Sequence, residues 1–182
     1  MSKIAVVVGS LRKDSINRKL AEALAKLAGE RLTFDLLNLH DVPIFNQDHE
    51  ADPPASVVRL REAVAAADGV LLVTPEYNRS VPPVLKNAVD WVSRPYGKNG
   101  WAGKPGAIIG TSGGAVGTAA AQSHLRSIMT ILEVPLMSQP EIYLVMKEGL
   151  VDELGEGTNE GTAAFLKGWV DKFAGWVEKQ PA

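Results

Sequence analysis

Three short segments of this chain combine residue types that hold ligands. The first, Gly9-Ser10-Leu11-Arg12-Lys13-Asp14-Ser15-Ile16-Asn17, offers two hydroxyls, a guanidinium and an amide just ahead of a helical stretch. With the free N–H groups of a helix start, that set suits a terminal phosphate monoester. The segment lacks the final GK[ST] of a Walker A loop and does not spell GxGxxG. The plainer alternative has Ser15 capping the helix while Arg12 and Lys13 face water. The second segment, Pro75-Glu76-Tyr77-Asn78-Arg79-Ser80-Val81-Pro82-Pro83, places a flat aromatic and an amide after a buried strand, held between prolines. A planar heterocycle could pack and hydrogen-bond there; otherwise Tyr77 is a surface aromatic and Glu76 a cap or surface charge. The third, Thr111-Ser112-Gly113-Gly114-Ala115-Val116-Gly117-Thr118, is glycine-rich, so its backbone can approach a ligand closely. Each signal is weak alone.

The elements between these segments decide whether they meet. Ile4 to Val8 is an apolar run without polar alternation, the pattern of a strand buried on both faces. A helix over Asn17 to Leu27 follows, with Leu20, Leu24 and Leu27 on one face. Thr33 to Leu39 reads as a second strand at an edge, and Asp41 to Pro54 as a polar connection. Val57, Leu60, Val64 and Ala67 mark a second helix face. Gly69 to Thr74 is the third strand, and Pro82-Pro83 suits the first turn of a helix reaching about Ser93. Pro105 to Gly110 is the fourth strand. A helix carrying Leu125, Ile128, Met129 and Leu132 comes next, then a fifth strand over Glu141 to Met146. The last helix places Phe165, Trp169, Phe173 and Trp176 or Val177 on one stripe. Strands alternating with helices predict an α/β fold: a doubly wound parallel sheet of five strands with helices on both faces, in the order 2-1-3-4-5. All three segments then lie at the carboxyl ends of strands, where ligands bind in such sheets.

Composition narrows the classes. The 182 residues suit one domain, read here as spanning 1–182. A formal charge of -2 without a basic tract gives no electrostatic case for nucleic acid. The absence of cysteine excludes disulfides, thiolate chemistry and Cys-ligated metal, so any redox chemistry belongs to a bound cofactor. The three histidines are scattered, and Asp48-His49-Glu50 with Asp52 lacks metal-motif spacing, so no metal is expected. The opening apolar run is too short for a bilayer and has no signal-peptide cleavage pattern, which predicts a cytoplasmic protein without membrane attachment.

Together the three segments resemble the NADPH-dependent FMN reductase family of the flavodoxin-like superfamily, most of all its bacterial chromate and quinone reductase branch. The resemblance rests on Gly9-Ser10-Leu11-Arg12 with Ser15-Ile16-Asn17, and on Pro75-Glu76-Tyr77-Asn78 followed by Pro82 and Leu85-Lys86-Asn87-Ala88-Val89-Asp90-Trp91. Gly103-Lys104-Pro105 and Ser112-Gly113-Gly114 with Gly117 complete it. It implies a flavodoxin-like fold and bound FMN, with NADPH or NADH as co-substrate. Ser10, Arg12, Ser15 and Asn17 would hold the FMN phosphate. Pro75, Glu76, Tyr77 and Asn78 would lie along the isoalloxazine and ribityl groups, and Ser112, Gly113 and Gly114 near the pyrimidine side.

The implied activity is ping-pong hydride transfer through flavin N5 to quinones, with chromate or azo compounds as further acceptors. No side chain is expected to act as an obligatory acid or base; Tyr77, Asn78 and Arg79 are the expected contacts near the ring. Alternatives are a reductase that supplies reduced flavin to a partner, and a flavodoxin-like electron carrier without turnover. The resemblance further implies a homodimer or homotetramer with Arg126 and Glu141 as candidate interface residues. Arg79 stands where that branch commonly has tyrosine.

Overall fold

A computed structural model describes residues 1–147 and 160–180. Five strands, β1 (Ser2–Val8), β2 (Leu32–Leu36), β3 (Gly69–Val73), β4 (Gly106–Ser112) and β5 (Tyr143–Val145), form one parallel sheet in the order β2-β1-β3-β4-β5. The helices are α1 (Ile16–Ala28), α2 (Ala55–Ala65), α3 (Pro83–Val92), α4 (Ala119–Ile131) and α5 (Glu160–Lys179). The order reverses at β1, so a crevice opens between the carboxyl ends of β1 and β3. This is the doubly wound sheet expected from the alternating pattern and the flavodoxin-like order that the resemblance implied.

Alternate residues of the central strands feed two cores. Ile4, Val6, Leu71 and Val73 pack toward α1 and α5, while Ala5, Val7, Val70 and Leu72 pack toward α2, α3 and α4. Burial on both faces is why these strands read as continuous apolar runs. Each fully buried aliphatic side chain contributes about 1.5–3 kcal/mol, so the centre of the sheet is a rigid base for the loops at its edge.

The element bounds differ from the sequence reading where polarity and pairing disagree. The second strand stops at Leu36 rather than Leu39, although the Leu37 N–H still donates to the Val6 carbonyl. The fifth strand is only Tyr143–Val145, because β4 offers it just Gly110, Thr111 and Ser112 as partners. That pairing carries β4 two residues past Gly110, so Thr111 and Ser112 are strand rather than loop. On α5 the buried face is Leu166, Trp169, Val170, Phe173, Ala174 and Val177. Phe165 sits one residue off that stripe and is exposed, whereas Trp176 is half-buried and donates its indole N–H to the Pro135 carbonyl at 2.9 Å. Trp91 packs inward from α3 and donates to the Pro43 carbonyl at 2.8 Å, which pins the long connection after β2.

Candidate functional site

The three segments meet at the carboxyl edge of the sheet. Gly9 ends β1, its N–H donating to the Val73 carbonyl at 2.8 Å. A Cβ at this position would lie 2.9 Å from Pro82 and 3.1 Å from Pro75, so only glycine lets the first segment pass this close to the second. Beyond it, Ser10, Arg12, Ser15, Ile16 and Asn17 face Pro75, Glu76, Tyr77, Thr111, Ser112 and Gly113 across a cleft of about 160 Å³. A broader hollow of about 650 Å³ adjoins it, sharing Glu76, Ser112 and Gly113 and adding Asn78, Arg79 and Gly114. Every residue nominated from the sequence for the cofactor therefore lines one or both spaces.

Several of these side chains are already committed within the protein. The Ser15 hydroxyl oxygen caps α1 by accepting the Arg18 N–H at 3.2 Å, as the plainer reading had it, yet Ser15 also lines the cleft and its O–H proton has no acceptor among the described residues. Asn17 is buried. Its Nδ2 donates to the Thr111 carbonyl at 2.9 Å and its Oδ1 accepts the Thr111 N–H at 3.0 Å. The amide therefore fastens α1 to β4, and what Asn17 offers the cleft is its main-chain N–H. Thr111 was not singled out from the sequence, because nothing local marks a strand-end threonine as the partner of an asparagine on α1.

The main-chain N–H groups of Ile16 and Asn17 have no acceptor among the described residues, nor does the Arg12 guanidinium have an ion-pair partner there. Unsatisfied helix-start donors, two hydroxyls and an unpaired guanidinium fit a phosphate dianion.

The opposite wall is stiffened by turns. Tyr77 and Ser80 exchange hydrogen bonds at 3.1 and 3.0 Å, which leaves Asn78 (φ 50°) and Arg79 (φ 64°) at the two central positions of a tight turn. Left-handed backbone costs a non-glycine residue about 1 kcal/mol or more, least for asparagine. Tyr77 is half exposed at the rim, where its ring can cover a planar ligand. The Glu76 carboxylate turns inward, accepting the Ala120 and Ala121 N–H groups at 2.9 and 3.2 Å, so it caps α4. The Ser112 hydroxyl donates to the Gly117 carbonyl at 2.6 Å and accepts the Gly114 N–H at 3.2 Å, which folds the glycine segment back on itself.

Arg126 and Glu141 lie outside the cleft and pair within the one chain at 2.8 Å, and the Tyr143 hydroxyl donates to Glu141 at 2.7 Å. Burial first, and then that carboxylate, push the Tyr143 phenol above its usual value, with Arg126 opposing. Among the described residues no cluster of His, Asp and Glu could hold a metal, and no helix is long and apolar enough to cross a membrane.

A flavodoxin-like sheet with an open helix start at its switch point defines a protein built for a phosphate-bearing ligand. The comparisons with known proteins agree with that class. Residues 2–149 match the family model described as NADPH-dependent FMN reductase. A 2-hydroxy-1,4-benzoquinone reductase of a Burkholderia species is 53% identical over 175 residues, covering 96% of each chain. A quinone reductase of Pseudomonas putida is 47% identical over 176 residues, covering 96% of this chain and 94% of the relative. Among solved structures, FerB of Paracoccus denitrificans, a flavoenzyme NAD(P)H:(acceptor) oxidoreductase, superposes with a TM-score of 0.95 at 49% identity, covering 99% of both chains. The chain belongs to the NADPH-dependent FMN reductase family. It is an FMN-binding oxidoreductase that uses NAD(P)H.

Proposed function

We propose that this protein is a quinone reductase whose cleft holds FMN with its phosphate at the start of α1. The observation that carries the placement is the pair of unsatisfied N–H groups of Ile16 and Asn17 beside Ser10, Arg12 and Ser15. Two of the relatives are themselves quinone reductases by name, which supports the acceptor class. Bound FMN supplies acceptance of a hydride from the nicotinamide and its donation to the acceptor.

The chain's own residues bind and orient. Arg12 and the α1 start neutralise the phosphate, Pro75 to Asn78 form the wall along the ribityl and ring, and Ser112, Gly113 and Gly114 bring main chain toward the pyrimidine edge. Tyr77 shields the ring from one side. Arg79, exposed at its turn, faces incoming anionic groups, which favours the phosphate of a nicotinamide nucleotide or an oxyanion acceptor such as chromate. Among the described residues, Glu76 is the one carboxylic acid lining either space, and no histidine or lysine lines them.

We further read residues 1–182 as one cytoplasmic domain that assembles as a homodimer or homotetramer, with Arg126 and Glu141 near the surface between copies. Their pairing within one chain means that an intermolecular role would require this pair to be shared or exchanged.

The test is anaerobic stopped-flow of the FMN-loaded protein, mixed first with NADPH and then with a benzoquinone. Bleaching of the flavin band followed by its recovery is expected. Retained flavin that NADPH cannot bleach would instead indicate an electron carrier.

A further inference from the structure

Glu76 is the one carboxylate lining either space of the cleft among the described residues. A buried negative charge beside an anionic ligand is costly unless something offsets it. Here two groups do. One carboxylate oxygen takes the Ala120 and Ala121 N–H groups at 2.9 and 3.2 Å, and the other lies 3.8 Å from the Arg79 guanidinium. The side chain is only 10% exposed. Thr118, at the cap position of α4, gives its own helix no side-chain cap. The start of α4 is therefore closed by a charge brought in from a different loop, 44 residues away in sequence.

The Thr118 hydroxyl could cap α4 without placing a charge in the cleft, but its oxygen instead accepts the Gln122 side-chain N–H at 2.9 Å. The carboxylate that takes its place has a consequence beyond capping. The first turn of α4 lies at the same sheet edge as that of α1 and carries the same partial positive charge. Left open, it would attract a second anion and stabilise negative charge in the hollow beside Gly113 and Gly114.

We propose that Glu76 is a positioning residue that cancels the positive end of α4, so that α1 alone receives the phosphate and reduced flavin gains no stabilisation from α4. The flavin is thereby held at a lower potential and remains a strong donor. Arg79 trims the effect from outside. This inference rests on the flavin placement proposed above.

The test uses the FMN-loaded protein and two variants, Glu76→Gln and Arg79→Gln, with FMN dissociation constants and spectroelectrochemical midpoint potentials as readouts. Glu76→Gln keeps the shape and one acceptor but removes the charge. It is expected to retain FMN while favouring reduced over oxidised flavin about tenfold more than the wild type, an upward shift of about 30 mV for a two-electron couple. Arg79→Gln, on an exposed turn, is expected to shift the potential the other way, and an unchanged potential in that variant overturns the inference should Glu76→Gln fail to fold. A folded Glu76→Gln protein that keeps FMN at an unchanged potential overturns the inference and leaves Glu76 a helix cap only. A wild-type chain that retains no FMN overturns the placement and this inference together, and that failure is distinct because there is no flavin to titrate.

Discussion

Two helices begin at the same edge of the sheet, and their starts are treated in opposite ways. At α1 a neutral hydroxyl, that of Ser15, satisfies one N–H, while those of Ile16 and Asn17, which line the cleft with Arg12, have no acceptor among the described residues. At α4 a full negative charge, Glu76, takes the N–H groups of Ala120 and Ala121. Both starts carry similar intrinsic dipoles, so the difference lies in what the neighbouring loops supply. An anion entering the cleft meets one receptive helix end and one already filled. Fold geometry makes two candidate sites, and side chains distant in sequence select between them.

Both helix starts are disrupted most severely if the platform they share is disturbed. In Gly110→Ala the new Cβ would collide with the Thr74 carbonyl oxygen and approach Thr118 Oγ1 to 2.6 Å. Backbone cannot yield as a flexible side chain can, so a loss of about 3 kcal/mol is expected from overpacking, visible as a lowered denaturant midpoint with loss of bound flavin. Asn17→Ala tests α1 alone. It strands the buried N–H and C=O of Thr111, costing about 2 kcal/mol, and it frees α1 from β4. FMN binding should weaken with stability, whereas the Glu76 cap of α4 should survive, so amide exchange at Ala120 and Ala121 should remain slow.

Both glycine and asparagine effects depend on pairings that no local pattern announces, which bears on what the sequence reveals. The central strands were legible because burial on both faces leaves an unbroken apolar run, as in Val70-Leu71-Leu72-Val73. The edges were not. Thr111 and Ser112 look like loop by side chain but are strand by main chain, since β5 pairs with them. Phe165 joins an aromatic spacing by eye, yet the buried stripe of α5 runs through Leu166. At the site, residue types singled out three loops, and the sheet brings them together. What each side chain does was hidden, because Asn17 finds its partner 94 residues away and Glu76 finds its own 44 away.

A milder change is expected at the start of α4. Arg79→Tyr removes the guanidinium near Glu76 but leaves the cap hydrogen bonds in place. Stability should change by less than about 0.5 kcal/mol, as for an exposed position, and FMN should be retained. Acceptor profile or assembly size should change instead, measured with a quinone and chromate panel and by sedimentation. Loss of FMN with both of those unchanged would contradict the role given to Arg79.

The open start of α1 is tested most directly by comparing FMN with riboflavin, which differs only in lacking the phosphate. Titration of the flavin-free protein, followed by quenching of flavin fluorescence, gives both dissociation constants under one condition. FMN is expected to bind at least about a hundredfold more tightly, equivalent to about 2.7 kcal/mol, with an advantage that shrinks as salt rises. Equal affinities at low salt would show that the phosphate does not rest on Ile16 and Asn17.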